Sequence, residues 1–131
     1  MGTIKVVCGI IYKDNQILLC RRKPNKALGG YWEFPGGKVE LNENYEETLH
    51  RELAEELGMK VDVKEYFITV LHKYEKFTIE LISYLCEFVE ANFTLNDHDA
   101  YKWLNIEELS KYDLAPADIP IVEKLGTYTK K

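Results

Sequence analysis

Leu49, Leu53 and Leu57 recur at every fourth position of an otherwise polar stretch, which marks a helix with one apolar stripe. Asn44 followed by Glu47 is a capping-box signature, and Gly58 supplies a left-handed stop, so the predicted helix runs from Asn44 to Leu57. Ile4 to Tyr12 and Gln16 to Arg21 are rich in β-branched and apolar residues and predict two strands, turned by Asp14-Asn15. Pro24 to Tyr31 reads as a polar loop. Val61 to Lys73 alternates as a strand, with Val61-Asp62-Val63 separable as a short piece of its own. The polar patch Lys73 to Lys76 ends it. Phe77 to Phe88 is a long apolar run, fit for a central strand, with Glu80 in it as either an edge charge or a pocket group. Tyr101 to Asn105 predicts a short strand, Ile106 to Leu109 a helical turn, and Ala117 to Tyr128 a closing helix. The order β-β-α-β-β-β-α gives an α/β (α+β) sandwich, a mixed sheet between helices.

Composition narrows the class. A chain of 131 residues, 46% hydrophobic and 30% charged, fits one globular domain over 1–131 with a real core. A net charge of −5 with no basic face argues against nucleic-acid polymers and anionic membranes as partners. Cys8, Cys20 and Cys86 lie in apolar runs without metal-ligand spacing, which predicts buried free thiols. No apolar run reaches the ~18 residues of a membrane span and no signal peptide is visible, so a cytoplasmic protein is expected.

The helix carries the chemistry. Glu52, Glu55 and Glu56 share one face. Two such charges about 5.5 Å apart repel by ~3 kcal/mol at an effective dielectric near 20, and by under ~1 kcal/mol in bulk water. One reading is a solvated acidic face with Glu47, Arg51 and Glu55 in weak i,i+4 pairs. The other is a divalent-metal site. The turn Pro35-Gly36-Gly37 just ahead favours the second, because glycines reach backbone angles closed to other residues and can turn a carbonyl inward.

Gly37, Glu43, Arg51, Glu52, Leu53, Glu55, Glu56, Gly58 and Met59 occupy every fixed position of the pattern G-x5-E-x7-R-E-U-x-E-E-x-G-U, where U is a bulky aliphatic residue. That pattern is the Nudix box, and the chain resembles the Nudix hydrolases, in particular the small MutT-type members. The resemblance implies the Nudix α/β/α sandwich and a hydrolase of phosphoric anhydrides. It further implies Mg²⁺ or Mn²⁺ held by Glu52, Glu55, Glu56 and the Gly36 carbonyl. Asp97, six residues before Trp103, would join the metal site or activate water, with Asp99 as its substitute; Glu52 is the first choice of base and Asp97 the rival. Arg21 or Arg22 and Lys38 would meet phosphates. Arg51 would lock the loop through Glu43, with Gly37 shaping it.

Phe34 and Asp118 would border the base. Asp118 has a second reading as N-cap ahead of Pro120. If ionised it only accepts hydrogen bonds, which suits the amino group of cytosine or adenine and opposes the O6 of 8-oxoguanine. His98 reads as a loop residue. The run Ala115-Pro116-Ala117-Asp118-Ile119-Pro120 resembles the CTP/dCTP pyrophosphohydrolase branch. The implied activity is hydrolysis of nucleoside 5′-triphosphates to NMP and pyrophosphate, acting on CTP/dCTP or on an oxidised dNTP such as 8-oxo-dGTP. The expected partner is a small-molecule nucleotide, the expected assembly a monomer or homodimer. The alternatives are a Nudix hydrolase of dinucleoside polyphosphates, toward which the resemblance lets Tyr74 point, or of ADP-ribose, and a non-catalytic nucleotide-binding module.

Overall fold

A hairpin opens the chain: β1 (Thr3–Lys13) and β2 (Gln16–Arg22) are joined by Asp14 and Asn15, whose φ values of 51° and 65° suit a tight two-residue connection. The computed structural model describes residues 2–127, so the expected helix end at Tyr128 lies outside the described residues. The remaining elements are β3 (Trp32–Glu33), β4 (Gly36–Lys38), α1 (Tyr45–Leu57), β5 (Met59–Lys73), β6 (Thr78–Ala91), β7 (His98–Leu104), α2 (Ile106–Leu109), a 3-10 turn (Pro116–Asp118) and α3 (Ile119–Leu125).

The sheet runs β3-β2-β1-β6-β5, with β4 bonded to β1 and β7 to β2. Among the described strands β1 and β6 pair in parallel and the other strand pairs are antiparallel, so the sheet is mixed, as expected. β1 pairs with β2 near the hairpin, at Tyr12 and Lys13, whereas Val6, Val7 and Cys8 pair with β4. The segment from Trp32 to Lys38 therefore crosses from β2 to β1 where those strands separate, and the site is built around that crossing.

Alternation along β1 and β2 feeds two cores. Val7, Ile11, Leu18 and Cys20 face α1, where Leu49, Leu53 and Leu57 are fully buried. Cys8, Ile10, Ile17 and Leu19 face the opposite layer with Phe34, Leu109, Ile121 and Leu125. All three cysteines are buried and free. Burial on both faces explains why these strands read as continuous apolar runs.

Four expectations need correction. β3 and β4 were not expected; two or three residues long, they exist through pairing with β2 and β1 rather than local preference. Val61 to Val63 is no separate strand: β5 is continuous and absorbs register shifts at Lys60/Val61, Val63/Glu65 and Tyr66/Thr69. β7 begins at His98, inside the stretch taken as a loop. The closing helix starts at Ile119 after the 3-10 turn, and the Asp118 side chain caps nothing.

Candidate active site

The capping box forms as the sequence dictates: Glu47 N donates to Asn44 Oδ1 at 2.8 Å, and Asn44 N to Glu47 Oε1 at 2.9 Å. Glu47 is thus spent on the cap and makes no pair with Arg51. Gly58, at φ 58°, stops the helix. Arg51 forks onto Glu43, Nε to Oε2 at 2.6 Å and Nη2 to Oε1 at 3.0 Å, and also donates to the Lys38 carbonyl at 3.1 Å. Its Nη1 lies 3.1 Å from Glu52 and 3.2 Å from Glu55. The fork holds Glu43 at about 2, below the usual carboxylate range, and the Arg51 guanidinium rises in turn.

Glu52 rests against the glycine turn. A Cβ on Gly37 would fall 2.1 Å from the Glu52 carboxyl carbon, and one on Gly36 would fall 1.9 Å from the Val7 carbonyl oxygen. Neither glycine has positive φ; Gly30 and Gly58 do. The expected reason for the glycines is therefore corrected: they permit close approach, not unusual backbone angles.

The loop after β6 brings Asp97 to the same helix. Asn96 donates to the carbonyls of Glu55 and Glu56, with N to Glu56 O at 3.3 Å, and Asp97 N donates to Glu56 Oε1 at 3.1 Å. Asp97 Oδ1 is also 3.1 Å from Lys26 Nζ. Burial first, then Glu56 and Glu55, push Glu52 upward against the pull of Arg51. Burial and the Asp97 charge raise Glu56. Burial works on Asp97 in the same sense, but Lys26 and the hydrogen bond to Glu56 outweigh it and hold Asp97 low. Asp99, the alternative to Asp97, pairs instead with Arg21, 2.8 Å away, and that pair holds it low.

Among the described residues, no group of three or more His, Cys, Asp or Glu side chains is already gathered around one point as a metal site. Arg51 and Lys26 occupy these carboxylates instead. The donor chemistry nonetheless fits a hard divalent ion. The donors are all oxygen, and two of the acids are raised by burial and mutual repulsion that such an ion would relieve.

Beside this cluster opens a cavity of about 300 Å³, lined among others by Arg22, Glu33, Phe34, Gly36, Gly37, Lys38, Tyr74, Ala117 and Asp118. Arg22 and Lys38 line it and Arg21 does not, because Arg21 turns to Asp99 and over the Trp32 ring. Asp118, 5% exposed, accepts a hydrogen bond from Phe34 N at 2.9 Å through Oδ2. Burial, then the Glu33 charge, push its carboxyl well above the ordinary value, against the Phe34 hydrogen bond. That direction favours the protonated alternative to the ionised, accept-only form. Tyr74 Oη accepts from Ala117 N at 3.1 Å and so ties the tip of the β5–β6 hairpin to the loop that carries Asp118.

Glu33 and His98 were missed. Glu33 receives Arg22 Nη1 at 3.3 Å and lies 2.9 Å from His98 Nε2, and His98 is only 1% exposed. A carboxylate set between Trp32 and Phe34 was the available signal. For His98 the signal was only its place beside Asp97, since its burial depends on the register of β7 with β2.

An acidic helix, a glycine crossing packed on its Glu52 and an adjoining cavity on an α+β scaffold are the arrangement of an enzyme that handles anionic substrates through a cation. Residues 6–124 match the NUDIX domain family. The chain belongs to that family and is a MutT-like Nudix hydrolase acting on phosphorus-containing anhydrides. It is 39% identical over 123 residues to the CTP pyrophosphohydrolase of Escherichia coli, covering 94% of this chain and 91% of that protein. It is 32% identical over 125 residues to the 8-oxo-dGTP diphosphatase of Buchnera aphidicola, covering 95% of each. The MutT protein of Methanosarcina mazei superposes with a TM-score of 0.89 at 27% identity, over 99% of this chain and 97% of that one. Nudix hydrolases generally need a divalent metal. No helix among the described residues is long and apolar enough to cross a membrane.

Proposed function

We propose that the chain hydrolyses nucleoside 5′-triphosphates to NMP and pyrophosphate with Mg²⁺, and that cytosine nucleotides are its preferred substrates. The observation that carries this reading is the shared segment Gly36-Gly37-Lys38, which lines the cavity and packs on Glu52. A base in the cavity therefore places its phosphates at the acidic helix. Glu52, Glu55, Glu56, Asp97 and the Gly36 carbonyl would hold the ion. When bound, it neutralises the phosphates and acidifies water.

Glu52 accepts the proton of the attacking water, consistent with its raised carboxyl, and Asp97 orients that water from the Glu56 side. The water oxygen bonds to the β-phosphorus, the bridging bond to the α-phosphate oxygen breaks, and NMP leaves with that oxygen. Arg22 and Lys38 line the route of the phosphates. Arg51 holds the loop through Glu43 and does not touch substrate.

In the base pocket Glu33 is the acceptor and Asp118, raised toward its protonated form, the donor. Adjacent amino and ring-nitrogen groups, N4 and N3 of cytosine, meet that pair. The relation to a CTP pyrophosphohydrolase supports the choice. A second reading, 8-oxo-dGTP, is favoured by the same protonated Asp118, which can donate to O6, and by the relation to 8-oxo-dGTP diphosphatases. A panel of CTP, dCTP, 5-methyl-dCTP, 8-oxo-dGTP and 2-hydroxy-dATP decides between them. The highest kcat/KM belongs to a cytosine nucleotide on the first reading and to 8-oxo-dGTP on the second; release of phosphate only from diphosphate-linked nucleotides would sink both. The protein acts in the cytoplasm as one Nudix domain, monomeric or homodimeric.

A further inference from the structure

His98 carries a feature that the mechanism above does not use. It is buried, and its Nδ1 has no hydrogen-bond partner among the described residues while Nε2 lies 2.9 Å from Glu33 Oε2. A buried donor without a partner costs more than a buried lone pair without one. The tautomer that satisfies both nitrogens best therefore puts the proton on Nε2, aimed at Glu33, and leaves the lone pair on Nδ1. Arg22 Nη1 approaches the same Glu33 oxygen at 3.3 Å. Two donors converge on Oε2 and hold the Glu33 side chain in one place on the cavity wall.

The other acid of the cavity is held differently. Asp118 receives one backbone N–H, that of Phe34. Glu33 is anchored from two sides, by Arg22 and by a histidine outside the cavity lining that the β7 register places opposite Arg22.

We propose that His98 is a positioning residue for base recognition: by anchoring Glu33 as a fixed acceptor, it makes the pocket prefer an amino-bearing pyrimidine edge over a keto-bearing one. This rests on the reading of the cavity as the base site. His98 also neighbours Asp97 in sequence, which offers a rival route through the metal side. The two routes separate in kinetics. Acting through Glu33, His98→Leu raises KM for CTP and lowers the CTP-to-UTP ratio of kcat/KM by roughly tenfold, with kcat changed less than about twofold. Acting through Asp97, it lowers kcat for both nucleotides alike.

The test is a set of His98→Leu, His98→Gln, Glu33→Gln and the double variant His98→Leu/Glu33→Gln, assayed with CTP and UTP, beside ¹⁵N NMR of the His98 ring in the wild-type protein. Gln retains an N–H where Nε2 stood, so His98→Gln recovers most of the ratio. In the Glu33→Gln background His98→Leu adds less than about twofold. The NMR expects a proton on Nε2 and a lone pair on Nδ1, as the contacts of the two nitrogens imply, and it needs no variant to fold. A proton on Nδ1, equal kcat losses for both nucleotides, or multiplying effects of the two substitutions would each overturn the proposal. A wild-type protein that hydrolyses no triphosphate would instead defeat the functional reading, while the ring tautomer would still report on the His98–Glu33 contact.

Discussion

A methyl group at position 37 tests how tightly Glu52 is seated. The Gly37→Ala Cβ would fall 2.1 Å from the Glu52 carboxyl carbon, so the carboxylate must swing away. Displacement of a catalytic group by about 1 Å costs on the order of 100-fold. The expected outcome is a kcat loss of about that size with little change in thermal midpoint, since the site and not the core is disturbed; steady-state kinetics and calorimetry check it. Asp118 gives a second residue-scale prediction. Its folded-state carboxyl is raised by burial and by Glu33, so its stabilising share is full below the unfolded value and is lost as pH rises through the folded one. Asp118→Asn keeps an acceptor for Phe34 N–H and cannot ionise. Its thermal midpoint should match wild type near pH 4 and exceed it increasingly toward pH 8, as pH-dependent melting will show.

At the scale of elements, α1 was legible because its determinants are local. The leucine stripe, the Asn44–Glu47 box and the Gly58 stop all lie within the segment they define. β3 and β4 were not legible, because two partners far along the chain create them. The same holds for chemistry. Spacing put Glu52, Glu55 and Glu56 on one helix face, while their suggested role, and Asp97 six residues before Trp103, came from the resemblance to the MutT-type proteins. The Glu33–His98 pair spans two strands, and the Arg21–Asp99 pair, which turns both side chains toward each other, is set by the β2–β7 pairing. The Glu43–Arg51 staple joins loop to helix and has a pH signature. Glu43 sits at about 2 in the fold, so its contribution is present above the unfolded value near 4.5 and is lost as pH falls between the two. Glu43→Gln should lower the melting midpoint at neutral pH and converge on wild type as pH falls through that window, so that the acid limb of the curve flattens.

Over the whole molecule, a mixed sheet separates two cores and leaves one crossing, Trp32 to Lys38, where base cavity and acidic helix meet. On the proposed reading, that division lets base recognition change at the cavity acids Glu33 and Asp118 while the helix keeps its carboxylates. The direct test is pyrophosphate release from CTP, followed with Mg²⁺, with chelator, and in Glu52→Gln. The account predicts one pyrophosphate per CMP, no turnover with chelator, and a kcat loss of roughly 10²–10⁴-fold in the variant. Turnover that survives both the chelator and Glu52→Gln would contradict it.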